Sequence, residues 1–147
     1  MASLLAGQNR CADALPQLEK ATALAPREQR LRIALADCKM RLGKFAEAAT
    51  IYKRALQADP KLVPLYYKIA RAEHEAVGRA RALPWYERAA REEPRNPMPH
   101  YYLGFAYKER GQRARAIGAF RAYLEAKPDA EDRKDIEREI EDLGGKL

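Results

Sequence analysis

The chain has 147 residues, 47% of them apolar, enough for one domain with a real core and too apolar for a disordered chain. Its 28 basic and 21 acidic side chains give a net charge of +7, which favours acidic partners without choosing among nucleic acid, membrane and protein. Two cysteines suit neither a disulfide scaffold nor a zinc site, and no apolar run approaches the roughly 20 residues of a membrane helix. Cys11 and Cys38 therefore read as buried free thiols in a reducing compartment, and a cytoplasmic location is expected. The 18 arginines against 10 lysines suit a GC-rich bacterial proteome.

In chain order, "ASLLAGQ" reads as at best a helical stub. A helix is expected to start near Asp13, with Pro16 in its first turn and Ala14, Leu18 and Ala21 on one face. The next helix carries Leu35, Ala36 and Cys38 and reverses at Gly43 into a helix with Ala48, Tyr52 and Ala55 at helical spacing. A further pair follows: Ile69, Ala70 and Ala72, then Ala82, Tyr86 and Ala89. Pro84 in a first turn implies a start near Arg81. Gly78 comes one residue later than the position matching Gly43, so this turn is expected to differ. A third pair carries Leu103, Gly104 and Ala106, reverses at Gly111, and continues with Ala116, Phe120 and Tyr123. In "EDRKDIEREIEDL", Ile136, Ile140 and Leu143 line one face of a last helix that Gly144 and Gly145 stop.

These elements repeat. Pro26, Pro60, Pro94 and Pro128 are each 34 residues apart, and the Ala14, Leu18 and Ala21 positions recur with the same period. The stretches "LADCKMRLGKFAEAATIYKRALQADP" (35–60) and "YYLGFAYKERGQRARAIGAFRAYLEAKP" (101–128) resemble the tetratricopeptide repeat family, and the likeness covers nearly the whole chain. The resemblance implies an all-α fold, a right-handed superhelical solenoid of antiparallel helix pairs with about 3.5 repeats and a C-terminal capping helix. It implies a single domain, 1–147: a partial repeat over 1–28, repeats over 29–62, 63–96 and 97–130, and a cap over 131–143. The first unit starts without its first helix, so the chain reads as the C-terminal segment of a longer protein, with self-association expected at the truncated N-terminal end. Two departures stand out. The family's first aromatic is kept as Tyr66 but replaced by Arg32 and His100, and its second is kept as Tyr107 but replaced by Lys39 and Glu73. Tyr123 replaces a small close-contact residue, so whatever packs after it must stand off or tilt.

Catalytic chemistry has few candidates. Ser3, Thr22 and Thr50 are the only hydroxyl nucleophiles of their kinds, and His74 and His100 have no ligand or acid at a useful spacing. No catalytic residue, metal site or cofactor is expected. RNA binding is disfavoured, because the position where helical repeats read bases holds Ile33, Tyr67 and Tyr101.

The resemblance places the first helices of successive repeats along a concave groove. Its lining would be Arg30, Ile33, Asp37, Met40 and Arg41, then Tyr67, Arg71 and His74, then Met98, Tyr101, Phe105 and Lys108. These positions are expected to lie outside the helix-packing columns, so apolar and aromatic groups among cations there point to a protein-binding surface. The expected partner is a protein segment with apolar anchors and negative charge, or a folded partner. Adaptors docking on a small GTPase or on a secretion or motility machine are the alternative. A subgroup of the family clamps a chaperone's C-terminal carboxylate, but at those positions this chain keeps a single cation, Lys68, beside Ile33, Asp37, Met98 and Tyr102. Such a clamp is therefore not expected.

Overall fold

The computed structural model describes residues 2–147, apart from the side chains of residues 1–7 and 9. Among the described residues all regular structure is α-helical, and the chain divides into two compact units. The first unit, Met1–Gly78, holds α1 (Ala2–Leu24), α2 (Gln29–Arg41), α3 (Phe45–Ala58) and α4 (Pro64–Ala76). The second, Arg79–Leu147, holds α5 (Arg79–Glu92), α6 (Pro97–Glu109), α7 (Arg113–Ala126) and α8 (Arg133–Asp142). In each unit every helix packs against the next one in the chain.

The 34-residue columns are where the packing is tightest. Ala48, Ala82 and Ala116 are fully buried, as are Tyr52, Tyr86 and Phe120 four residues on. A methyl group at the alanine position lets two helix axes approach, and the ring fills the space beside it. Ala14, Leu18 and Ala21 hold the same positions in α1 but are only half-buried. Gly104 takes this small-residue logic furthest: a Cβ there would lie 2.4 Å from the ring of Phe120.

Three expectations change. Free thiols are not found: Cys11 on α1 and Cys38 on α2 form a disulfide, with Cα atoms 5.1 Å apart. A hairpin brings together residues 27 apart in sequence, which spacing alone does not reveal. The expectation of a cytoplasmic location rested on those thiols and loses that support. The second change is at the helix starts. α1 runs unbroken through residue 13, and α5 begins at Arg79, in register with α3 at Phe45 and α7 at Arg113. Pro16 and Pro84 thus sit inside helices. An interior proline costs about 3 kcal/mol, but both prolines are exposed, as are Ala12 and Ala80, whose carbonyls they leave unbonded. The prolines thus lie on the solvent side of their helices, while the opposite face, Ala82, Leu83, Tyr86 and Ala89 in α5, stays buried. Third, the stub "ASLLAGQ" is part of α1 in its backbone; the side chains of residues 2–7 lie outside the described residues, while Gln8 donates to the Arg41 carbonyl at 3.3 Å.

The middle turn does differ from its neighbours. Gly43 and Gly111 adopt φ of 78° and 72°, whereas Gly78 adopts 129°. Only glycine enters any of these conformations without strain.

Candidate protein-binding faces

In the first unit, Ile33, Asp37 and Met40 recur at helical spacing on α2, and Tyr67, Arg71 and His74 hold the matching positions on α4. One ion pair joins the two helices. Asp37 accepts hydrogen bonds from Lys68 Nζ at 2.9 and 3.1 Å and a short one from the Tyr52 hydroxyl. Lys68 also stands 5.8 Å from the centre of the Tyr52 ring. Burial first, then the hydrogen bond to Asp37 and its charge, push the Tyr52 phenol far above its ordinary range. The single cation left at the clamp positions is thus already held by a carboxylate of its own chain.

The remaining polar side chains of this face differ in how free they are. Arg71 reaches Glu75 at 3.2 Å, one turn along its helix. Arg30 is almost wholly exposed, with Glu28 no closer than 3.9 Å. Arg41 is exposed. Ile33, Met40 and Tyr67 are half-buried and stand outside the buried core.

In the second unit, Tyr101 and Phe105 of α6 do not stand clear of the packing. Both lie against the cluster formed by Ala116, Phe120, Tyr123, Leu124, Ala130, Ile136 and Ile140. Phe105 meets Phe120 edge-on with ring centres 5.0 Å apart, and Tyr101 lies 5.4 Å from Tyr123. The cause is the bare backbone at Gly104, which admits the Phe120 ring and draws the neighbouring aromatics onto it. Tyr101 and Phe105 therefore contribute to stability, against the expectation that they lie outside the packing columns. Tyr123 spends its extra volume on the capping end, where its hydroxyl donates to Asp132 at 2.7 Å. Burial, then that hydrogen bond, push its phenol up to about 12. Lys108 is tied to Glu139 of α8 at 2.5 Å, and Met98 is half-buried at the start of α6.

The missing family aromatics have a physical account. Lys39 is buried and meets Glu19 at 3.6 Å and Glu47 at 3.2 Å. Glu73, one period on, is buried and meets Lys53 at 2.5 Å. Tyr107, one period further, is raised above the ordinary phenol range by burial, then by the charge of Glu87 and a hydrogen bond to it. In each case the partner lies twenty residues earlier: 19, 53 and 87. An ion pair thus takes the place of an aromatic contact in the first unit. The signal was present in the sequence as a second column, Glu, Lys, Glu, facing Lys, Glu, Tyr, but it shows only when the columns are compared in pairs.

No group of three or more potential metal ligands gathers among the described residues, and no helix among them is long and apolar enough to cross a membrane. Trp85 is half-buried beside the Tyr86 column.

Residues 1–62 match the tetratricopeptide repeat family model. No curated protein is significantly similar to the chain. Among solved structures, MamA 41-end from Desulfovibrio magneticus RS-1 matches with a TM-score of 0.73 at 17% identity, over 97% of this chain and 92% of that one. YrrB, described as a TPR protein with an unusual peptide-binding site, matches with a TM-score of 0.72 at 19% identity, over 97% and 82%. The Yersinia enterocolitica type III secretion chaperone SycD, solved with a peptide of the translocator YopD, matches with a TM-score of 0.66 at 13% identity, over 78% and 91%. Identities this low speak for the fold alone. The family match covers residues 1–62, and the same 34-residue columns continue to Pro128, so the chain is similar to tetratricopeptide repeat proteins through its last repeat.

Proposed function

We propose that the chain is a non-catalytic protein-interaction module whose first unit receives an extended partner segment along the paired faces of α2 and α4. Ile33, Met40 and Tyr67 carry this reading: they are apolar, only half-buried, and at positions the buried columns do not need. Exposed Arg30 and Arg41 flank them, while Asp37 is neutralised by Lys68. The face thus suits a segment with apolar anchors and negative charge, the anchors giving affinity and the arginines steering approach. SycD, which shares the fold and was solved with a peptide, supports a peptide segment as the kind of partner. In the second unit Tyr101 and Phe105 are engaged with the core and Lys108 with Glu139, which leaves the half-buried Met98.

A photo-crosslinking residue placed at Met40, and separately at Gln57 on the exposed side of α3, tests this in the native host. Adducts are expected at position 40 and not at 57, on peptides rich in Asp, Glu and large apolar residues. Tyr67→Ala should speed dissociation of the captured partner about tenfold. Equal adduct yields at the two positions would remove the α2–α4 face from consideration.

A further inference from the structure

Gln8 and Ala12 of α1 form one wall of a cavity of about 650 Å³, and Met40, Arg41 and Phe45 form the other. Met40 and Arg41 also belong to the face on α2 and α4, so the cavity continues that face onto α1. A covalent bond ties the two walls: Cys11 directly precedes Ala12, Cys38 lies just before Met40, and their sulfurs are joined. The polar holds on this part of α1 are weak. Gln8 donates to the Arg41 carbonyl at 3.3 Å in an exposed position. The pair of Glu19 with Lys39 lies beyond Pro16, and Glu19 is exposed. Pro16 leaves the Ala12 carbonyl without a helical donor, so α1 is weakened where this wall begins. Ala14, Leu18 and Ala21 are half-buried, whereas the matching positions of α3, α5 and α7 are buried.

We propose that the Cys11–Cys38 bond is a redox latch on the α2 end of the binding face. Oxidised, it holds α1 in place as a wall of the cavity, so the site is formed before a partner arrives. Reduced, it frees the segment of α1 before Pro16, and Met40 and Arg41 lose the wall that faces them. This regulation rests on the α2–α4 face being a binding surface. The reductant is a thiol of the glutathione or dithiol class. Cys38 is half-buried and Cys11 is buried, so the incoming thiolate attacks the Cys38 sulfur. The bond between the cysteines breaks, and Cys11 leaves as a thiolate and takes up a proton. A second thiol displaces the first from Cys38, which also ends as a thiol. Two electrons pass to the protein, and the reductant departs as its own disulfide.

Three measurements on the full chain test the latch. In mixtures of reduced and oxidised glutathione, alkylation of free thiols should show the bond opening as the reduced form prevails and closing again when the ratio is reversed. A bond that survives reduced glutathione alone is a fixed cross-link and overturns the proposal. Hydrogen exchange should quicken on reduction at residues 8–15 and also at Met40, Arg41 and Leu42, with α4 unchanged. A change confined to α1 would break the connection to the face and overturn the proposal as well. With a photo-crosslinking residue at Met40 in native-host lysate, dithiothreitol should lower the adduct yield about fivefold or more. Cys11→Ser/Cys38→Ser, with its helical far-UV spectrum retained, should give the low yield with or without dithiothreitol. Equal, strong yields from oxidised and reduced wild type would exclude regulation by this bond. Absence of adducts in both states would instead remove the α2–α4 face as a binding surface, and the exchange of Met40 to Leu42 would still decide whether the latch reaches it.

Discussion

Glu73 is buried in α4, and its carboxylate meets Lys53 Nζ of α3 at 2.5 Å. Removing the lysine takes the facing cation from a buried carboxylate, and breaking a buried pair from one side costs about 3–5 kcal/mol. Lys53 is partly exposed, so Lys53→Met should fall at or below the low end of that range. The swap Lys53→Glu/Glu73→Lys should recover most of the loss. Urea denaturation checks both, and a swap no more stable than Lys53→Met alone would mean the carboxylate is satisfied in another way.

Gly104→Ala should destabilise by about 1–3 kcal/mol, because its Cβ would overlap a fully buried phenyl ring. Phe120 cannot simply swing away, since Phe105 packs against it edge-on. The double variant Gly104→Ala/Phe120→Leu should therefore lose less than the sum of the two single changes. Strict additivity in thermal melts would contradict the clash.

The Cys11–Cys38 bond closes a loop of 27 residues, and the chain-entropy account gives a stabilisation of about 3–4 kcal/mol for such a loop. Dithiothreitol should lower the midpoint of denaturation of the wild type and leave Cys11→Ser/Cys38→Ser unaffected. Amides of α1 should exchange faster on reduction, while those of α7 stay unchanged. Two titratable thiols in protein purified under oxidising conditions would count against the bridge.

Stability should fall at alkaline pH. Tyr52, Tyr101, Tyr107 and Tyr123 are all raised above the ordinary phenol value, each mainly by burial. A raised folded value means that the unfolded chain releases its protons first. Their contribution is complete below about pH 10 and is lost as pH climbs towards about 12 for Tyr123. Each such group steepens the fall by at most about 1.4 kcal/mol per pH unit. Tyr123→Phe should flatten the curve between those limits; an unchanged slope would show that the phenol is not protected.

The repeat was legible because packing acts on single positions: Ala48, Ala82 and Ala116 report the close helix crossings, and Pro26 to Pro128 the unit ends. What escaped the sequence depends on pairs. The bridge between Cys11 and Cys38, the partner of Glu73, and the drawing of Tyr101 onto Tyr123 are each relations between columns. Pro84 misled for a related reason, since its tolerance inside α5 depends on facing water, which local propensity does not encode. The proposed face on α2 and α4 could be named from the columns, but the pairing of its charges could not: Asp37 is paired with Lys68 and Arg71 with Glu75, while Arg30 and Arg41 are exposed.

The inverted pairs Glu19–Lys39 and Lys53–Glu73 also bear on how such a chain can evolve. α2 and α4 are both 13-residue helices with matching buried positions, Leu35 and Ile69, Ala36 and Ala70, Lys39 and Glu73, so length and apolar pattern alone would let one stand in for the other. Charge forbids the exchange. With α4 in the place of α2, Glu73 would meet Glu19; with α2 in the place of α4, Lys39 would meet Lys53. Recombination that exchanges these helices would set a buried charge against a like charge at its edge. Each helix thus carries an address, and a gene built from near-identical segments is held to one order by two side chains per junction.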